Sequence, residues 1–427
     1  MSPWPVVVVT GANAATVESG LGSANVCSSN YASRILPIRG LRAGPPPAPD
    51  GHGSEEALRV DGLTLILACR STQKAEAARK ELYQELDAHI TRLRAQPDYD
   101  GHAEVFRRNV KIEVEYLDLA VLSSVFHFSE QMSKQYPYIS HLIFNAGVAN
   151  FTHIDWPRCL KQIAWNFLDG ITRPQFYVQS TGEVSVDGLG WIWQSNMFSH
   201  YVLFRALEPL LKNSAYPADS RIIWSSSLEA SPKFYDSADW QLTKTDHSYE
   251  SVKYQIDLIS SILDRRALQD SSSTKRIRHF VSHPGVASTK ISTNLVAFGG
   301  FLDTVKVWVF YLGRVLFGSR HHTITTANAS IAAVHLALVS LTYITFYTFS
   351  PPKTSANGSA KPHTNGVVAV SPPDPVRFGA ETTRWGRAEV GLTPVYKWKE
   401  HEGEGERLLE RCDKIYREFS AKRGVSE

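Results

Sequence analysis

Short uninterrupted apolar runs recur along the chain, and the longer stretches between them carry apolar residues at helical spacing. The first run, WPVVVVTGAN, sets four valines ahead of Thr10, Gly11, Ala12 and Asn13. A continuous β-branched run ending in glycine predicts a buried parallel strand that leads into a phosphate-binding turn. LTLILACRS (63–71), VEYLDL (114–119), HLIFNAG (141–147), RIIWSSS (221–227) and RIRHFVSHPG (276–285) predict further strands. Between them lie helical stretches such as KAEAARKELYQELDAHITRLRA. Strands alternating with helices predict an α/β fold with a doubly wound parallel sheet. Ligands of such sheets bind at the carboxyl ends of the strands. Gly11, Arg70, Asp118, Asn145, Ser227, Tyr249 and Pro284 all fall there.

The chemistry begins with Tyr249 and Lys253 in SYESVKYQIDLIS. A spacing of four on a helix puts both side chains on one face. A free phenol has a pKa near 10 and is a sluggish proton donor at neutral pH. An ammonium beside it is expected to lower that pKa and bring the group toward its working range. Such a pair suits the interconversion of a ketone and an alcohol. Taken alone, it reads better as an exposed helix with a lysine lying along a half-buried tyrosine.

The set TGAN…GLG, NAG, Ser227, Tyr249/Lys253 and HPGVAST resembles the short-chain dehydrogenase/reductase family, with the motifs in the family's order. YESVKYQIDLIS, HIDWPRCLKQ, DGLGWIWQSNMFSHYVLF and RFGAETTRWGRAEV resemble the fungal branch that reduces 3-keto sterols in ergosterol synthesis. The resemblance covers most of residues 1–340 and resumes near 376. It implies a Rossmann-type fold in which Tyr249 protonates the ketone oxygen and Ser227 holds that oxygen. It also implies that Lys253 lowers the Tyr249 pKa and bonds the nicotinamide ribose, and that Asn196 anchors a proton relay through water. Thr10, Gly11, Asn13, Gly20, Gly22, Arg70, Asp118, Asn145, Ala146, Gly147, Tyr249, Lys253, Pro284, Gly285 and Thr289 would line the cofactor. Arg70, with no acid close after it, favours the 2′-phosphate of NADPH over the 2′-hydroxyl of NAD.

One part of the pattern is broken. Gly11 is separated from Gly20 and Gly22 by a longer stretch than the family's loop allows, AATVE standing as an insertion before SGLG. A Pro/Gly run at 44–53 then occupies ground where the family has a helix. Either this loop has diverged and still cradles pyrophosphate, or part of 14–55 is mistranslated intron, in which case cofactor binding suffers.

Composition narrows the class. The chain has 427 residues and a net charge of +3 without a basic block, so nucleic acid is not indicated. Cys27, Cys69, Cys159 and Cys412 fall in no metal or redox spacing and predict free thiols facing the cytosol. The first strand opening near Met1 predicts no cleaved signal peptide. FLDTVKVWVFYLGRVLF (301–317) predicts a substrate-covering helix that dips into a membrane surface. ASIAAVHLALVSLTYITFYTF (329–349) is long enough to cross a bilayer, although its first half matches the family's last sheet-packing helix.

The domain reading is a catalytic unit over 1–295, with a disordered insertion at 39–62 and a substrate or partner insertion at 151–195. Apolar helices at 296–349 complete the fold, a disordered linker spans 350–375, and a C-terminal extension with an amphipathic helix spans 376–427. The expected activity is NADPH-dependent reduction of a sterol carbon-3 ketone to the 3β-alcohol during carbon-4 demethylation. The resemblance places it beside the other enzymes of that pathway, on the cytosolic face of the endoplasmic reticulum membrane or on lipid droplets. The alternatives are reduction of another lipophilic carbonyl, such as a steroid or retinoid, and a scaffold that has lost its cofactor.

Overall fold

The apolar runs assemble into an eight-stranded sheet in the computed structural model, which describes residues 3–11, 60–97, 99–288, 300–341, 344 and 374–424. The strands are β1 (Val6–Thr10), β2 (Leu63–Cys69), β3 (Val110–Tyr116), β4 (His141–Phe144), β5 (Phe151–Ile154), β6 (Tyr177–Gln179), β7 (Ser220–Ser225), β8 (Ile277–His283), β9 (Val376–Thr382) and β10 (Ala388–Pro394). The order is β10-β9-β8-β7-β4-β1-β2-β3, while β5 and β6 pair separately. Within the large sheet only the β9–β10 pair is antiparallel. The chain leaves β1 for β2 and β3 on one side and returns to β4 on the other. The crevice between the carboxyl ends of β1 and β4 is therefore the topological switch point, where ligands of such sheets bind.

The flanking helices are α1 (Thr72–Arg94), α2 (His102–Asn109), α3 (Leu122–Gln135), α4 (Trp156–Trp165), α5 (Phe167–Thr172), α6 (Ser199–Lys212), α7 (Ser248–Gln269), α8 (Gly300–Val315), α9 (Ile331–Leu338) and α10 (Trp398–Gly424). Side chains alternate across a strand, and the four valines of β1 divide accordingly. Val6 and Val8 join a core with Phe126, Tyr201, Val252, Leu258 and Leu409 from α3, α6, α7 and α10. Val7 and Val9 join a core with Leu82 and Leu86 of α1 and Val334 and Leu336 of α9. Each such side chain contributes about 1.5–3 kcal/mol by burial, so the central strands favour apolar residues at successive positions. That is why they read as mainly apolar runs.

Two expectations need correcting. The third strand begins at Val110 rather than Val114, because Lys111 and Glu113 alternate outward on an edge strand and hide its first half. Residues 376–427 are not an appendage. β9 lies parallel to β8 inside the sheet, and α10 buries Leu408, Leu409 and Cys412 against the catalytic side of the fold. Gly405 lets α10 approach α7 closely, since a Cβ there would lie 2.6 Å from Ile262 Cδ1. As expected for its first half, the stretch 329–349 gives α9 (Ile331–Leu338), which packs on the sheet, while residues 342–343 and 345–349 lie outside the described residues. Among the described residues no helix is long and apolar enough to cross a membrane. Cys69, Cys159 and Cys412 are buried, and Cys159 and Cys412 are free thiols. Cys27, the interrupted glycine region (14–55) and most of the 350–375 linker lie outside the described residues.

Candidate active site

The switch-point crevice is built from the ends of β1 and β4. Thr10 Oγ1 accepts the backbone N–H groups of Asn145 and Ala146, each at 3.1 Å, and Asn145 Nδ2 donates to the Thr10 carbonyl at 3.3 Å. Gly11 has φ +66, and a Cβ there would lie 2.7 Å from Ala146 Cα. A Cβ on Gly147 would meet Asn196 Oδ1 at 3.0 Å and Lys253 Nζ at 3.4 Å. Both glycines thus keep bare backbone in the crevice, as close approach of a dinucleotide requires. Arg70 is exposed just past β2. Asp118 is half-buried past β3, where its carboxylate accepts the Ala120 N–H at 2.9 Å. Pro284 is exposed after β8. Gly285 (φ +69) packs where a Cβ would fall 2.6 Å from the His321 carbonyl. Asn13, Gly20, Gly22 and Thr289 lie outside the described residues.

The catalytic candidates meet at the end of β7. Helix α7 brings Tyr249 over Ser227, whose hydroxyl lies close enough to oppose the rise in the phenol's pKa. Ser227 Oγ also accepts the Glu229 N–H at 3.1 Å, which fixes the loop that presents it. Its two neighbours are differently engaged. Ser226 Oγ donates to the Lys253 carbonyl at 3.3 Å, and the Ser225 carbonyl accepts from Lys253 Nζ at 2.8 Å.

Lys253 is almost fully buried, and its ammonium lies 5.6 Å from the Tyr249 ring centroid. Burial lowers its pKa to about 8 against the opposing pull of Asp257 and Glu229. The expectation that Lys253 depresses the Tyr249 pKa is corrected here. Burial, followed by the Glu229 carboxylate, holds the phenol well above its usual value, with the Ser227 hydroxyl opposing. The phenol therefore keeps its proton near neutral pH, the form a proton donor to a ketone requires.

Three residues that the sequence did not signal complete the arrangement. Gln179, at the end of β6, accepts the Tyr249 backbone N–H at 2.9 Å and donates to Glu250 at 2.6 Å. The 151–195 insertion thus anchors the start of the catalytic helix as well as flanking the site. Glu229 lines a cavity of about 370 Å³ together with Arg173, Phe234, Glu250 and Tyr396. His200 stacks on Phe144 at 4.6 Å and bonds both Thr10 and the Asn196 carbonyl. Asn196 lies in a π-helical turn (Gln194–Phe198), and its side chain is fully engaged. Oδ1 accepts the Val148 N–H at 3.0 Å, while Nδ2 donates to the Val148 and Ile192 carbonyls at 3.0 Å each. These bonds make its side chain a clamp between helix and crevice.

The chain is similar to known reductases. The 3-keto-steroid reductase of Kluyveromyces lactis is 30% identical over 286 residues, which span 66% of this chain and 73% of that protein. A Candida albicans 3-keto-steroid reductase is 31% identical over 64% of this chain and 72% of its own length. The chain belongs to the 3-keto-steroid reductases of the short-chain dehydrogenase/reductase family. The Schizosaccharomyces pombe 3-keto-steroid reductase extends the match to 84% of this chain at 27% identity, over 88% of that reductase. No family model matches the chain.

In this reductase fold the burial of Glu229 has a measurable consequence. Burial and the nearby Glu250 raise its pKa from 4.5 to about 8, so between those values the folded state holds a proton that the unfolded state has lost. Glu229 therefore subtracts stability as pH rises through that window. Buried His141, His200 and His279, each lowered from 6.5 to about 3, act in the opposite sense, but only below 6.5. Between pH 6.5 and 8 the wild-type melting temperature is expected to fall, and Glu229→Gln should flatten that decline. Equal slopes in thermal scans of the two proteins would remove Glu229 from this account.

Proposed function

We propose that the chain is an NADPH-dependent 3-keto-steroid reductase that converts the carbon-3 ketone of a sterol intermediate to the 3β-alcohol. The observation that carries the reading is the convergence of a protonated Tyr249 and Ser227 at the switch-point side of the sheet. NADPH, when bound, supplies the hydride. Ser227 holds the ketone oxygen, and Tyr249 donates its proton to that oxygen as charge builds there. Lys253, anchored on the Ser225 carbonyl, presents an ammonium toward the crevice beside Gly147. The bare backbone at Gly11 and Gly147 fits a dinucleotide, and exposed Arg70 fits a 2′-phosphate.

The test is a titration of the purified chain with NADPH and with NADH, followed by an assay of 3β-alcohol formation from a 3-keto sterol. NADPH binding with sterol turnover is expected. NADPH binding with turnover only of other ketones moves the substrate assignment, and a folded chain that binds neither nucleotide moves the reading to a scaffold. Arg70→Ala should weaken NADPH about tenfold, the value of one hydrogen bond to a charged group at an exposed site, and leave NADH nearly unchanged. Equal losses would refute the 2′-phosphate role.

We place the enzyme on the cytosolic face of a membrane of the endoplasmic reticulum, beside the other enzymes of sterol carbon-4 demethylation. Exposed Trp308, Leu312, Leu316 and Phe317 follow helix α8, and Phe317 packs on Phe167 next to α4, which exposes Trp156, Leu160 and Trp165. Lys161 and Arg158 are also exposed on α4 and suit anionic headgroups. The wild type should sediment with phosphatidylserine-containing vesicles, and Trp308→Glu with Leu316→Glu should stay in the supernatant. Identical partitioning would dismiss this face as the membrane contact.

A further inference from the structure

We infer that His200 is a positioning residue that ties the crevice floor at Thr10 to the π-helical turn at Asn196 through two hydrogen bonds. The ring, carried on α6, is 1% exposed; Nε2 lies 2.9 Å from Thr10 Oγ1 on a distant segment, and Nδ1 lies 2.9 Å from the carbonyl oxygen of Asn196, four residues back on its own helical segment. The inference rests on the cofactor reading above and assigns it a residue outside the Ser227, Tyr249 and Lys253 set.

The proton positions follow from the partners. Thr10 Oγ1 already accepts two backbone N–H groups, so its own hydrogen is left to donate. The best-placed acceptor is His200 Nε2 at 2.9 Å; the Ile143 carbonyl is more distant at 3.5 Å. An Nε2 that accepts requires a neutral ring with its proton on Nδ1, and that proton points at the Asn196 carbonyl, which can only accept. Burial favours the same neutral form, lowering the ring pKa to about 3. Each end of the ring then has one partner and one role.

The two partners belong to different parts of the site. Thr10 precedes Gly11 and gathers the Asn145 and Ala146 amides, so it shapes the crevice floor. Asn196 lies in the π-helical turn, where backbone groups leave the regular ladder, and its side chain holds Val148 beside Gly147 and Lys253. A hydrophobic ring could fill the space against Phe144 but could not serve both polar ends. His200 therefore carries positional information and not volume alone.

Three variants separate the two bonds. In His200→Gln the side-chain carbonyl replaces Nε2 and keeps Thr10. In His200→Asn the amide N–H replaces Nδ1 and keeps the Asn196 carbonyl. His200→Phe keeps the stack on Phe144 and loses both. The dissociation constant for NADPH should rise about tenfold in His200→Asn and His200→Phe but stay within about twofold in His200→Gln, one buried hydrogen bond setting the scale. Turnover at saturating NADPH should show the converse, falling about tenfold in His200→Gln and His200→Phe and little in His200→Asn. Should the Phe variant fail to fold, the Gln and Asn pair alone carries the comparison.

Lower melting temperatures with unchanged affinity and turnover in all the folded variants would reduce His200 to a packing residue and overturn the proposal. Nitrogen-15 chemical shifts of the wild-type ring give a readout independent of any cofactor: a proton on Nδ1 is expected, and one on Nε2 overturns the geometry. A wild type with the expected tautomer that binds neither nucleotide defeats the cofactor reading, and with it the coupling to the crevice.

Discussion

Replacing Tyr249 by Phe is expected to lower ketone reduction by about 10²–10⁴-fold, the range a positioned general acid supplies, with NADPH affinity nearly unchanged. The phenol holds its proton at neutral pH and lies beside the Ser227 hydroxyl. Removing its oxygen leaves the ketone facing Ser227 alone, which can hold the oxygen but has no strong base or acid behind it. Lys253 does not depend on the phenol for its position, because its ammonium is bonded to the Ser225 carbonyl. The ring of Phe would also keep its edge contact with Phe151, 5.8 Å between centroids. The substitution thus isolates proton donation from packing and from cofactor binding. The measurement is kcat and KM for a 3-keto sterol beside the NADPH dissociation constant. Full turnover in this variant would assign proton donation elsewhere, and a parallel loss of NADPH affinity would mean that the phenol holds the crevice together.

Much of this arrangement is legible in the sequence because the relevant signals are local. Strands buried on both faces favour apolar residues at successive positions, so β1, β2 and β4 declare themselves as mainly apolar runs. Tyr249, Lys253 and Ser227 are legible through the resemblance to the short-chain family, whose motifs they match in order; spacing alone leaves them open. The residues that were not legible act through contacts that spacing does not encode. β9 reads VRFGAET, and Arg377, Glu381 and Thr382 are buried in it, so polarity conceals a strand inside the sheet. The direction of the Tyr249 shift was missed because it depends on burial and on Glu229, which belongs to no motif. Gln179 and His200 are single polar residues in otherwise unremarked segments. Each acquires meaning only when a second segment, more than sixty residues away in the chain, supplies its partner.

Arg377→Met should cost about 3–5 kcal/mol of stability, the loss typical when one member of a buried ion pair is removed. Arg377 and Asp257 are both 0% exposed, with Nη1 3.2 Å from Asp257 Oδ2 and 3.3 Å from the Ser227 carbonyl oxygen. The guanidinium also lies 4.7 Å from the centroid of the Tyr396 ring. Without it, Asp257 keeps its charge in a site that already raises its pKa to about 6, chiefly by burial. The deficit should therefore be partly restored by Asp257→Asn in the same chain, since the uncompensated charge is what destabilises. It should also shrink as pH falls. Loss of the Arg377 cation raises the Asp257 pKa further, so acid neutralises the carboxyl in the folded variant while a free aspartate is still ionised. Urea denaturation of the wild type, Arg377→Met and the double variant at pH 5 and pH 8 tests each step. Additive losses, or a deficit that does not change with pH, would show that Arg377 acts by packing against Tyr396 and not by balancing charge. Because the same Nη1 holds the Ser227 carbonyl, a folded Arg377→Met chain should also lose turnover more than NADPH affinity. Strand β9 would then set the geometry of the proton donor's partner, from a segment that the sequence alone placed outside the catalytic unit.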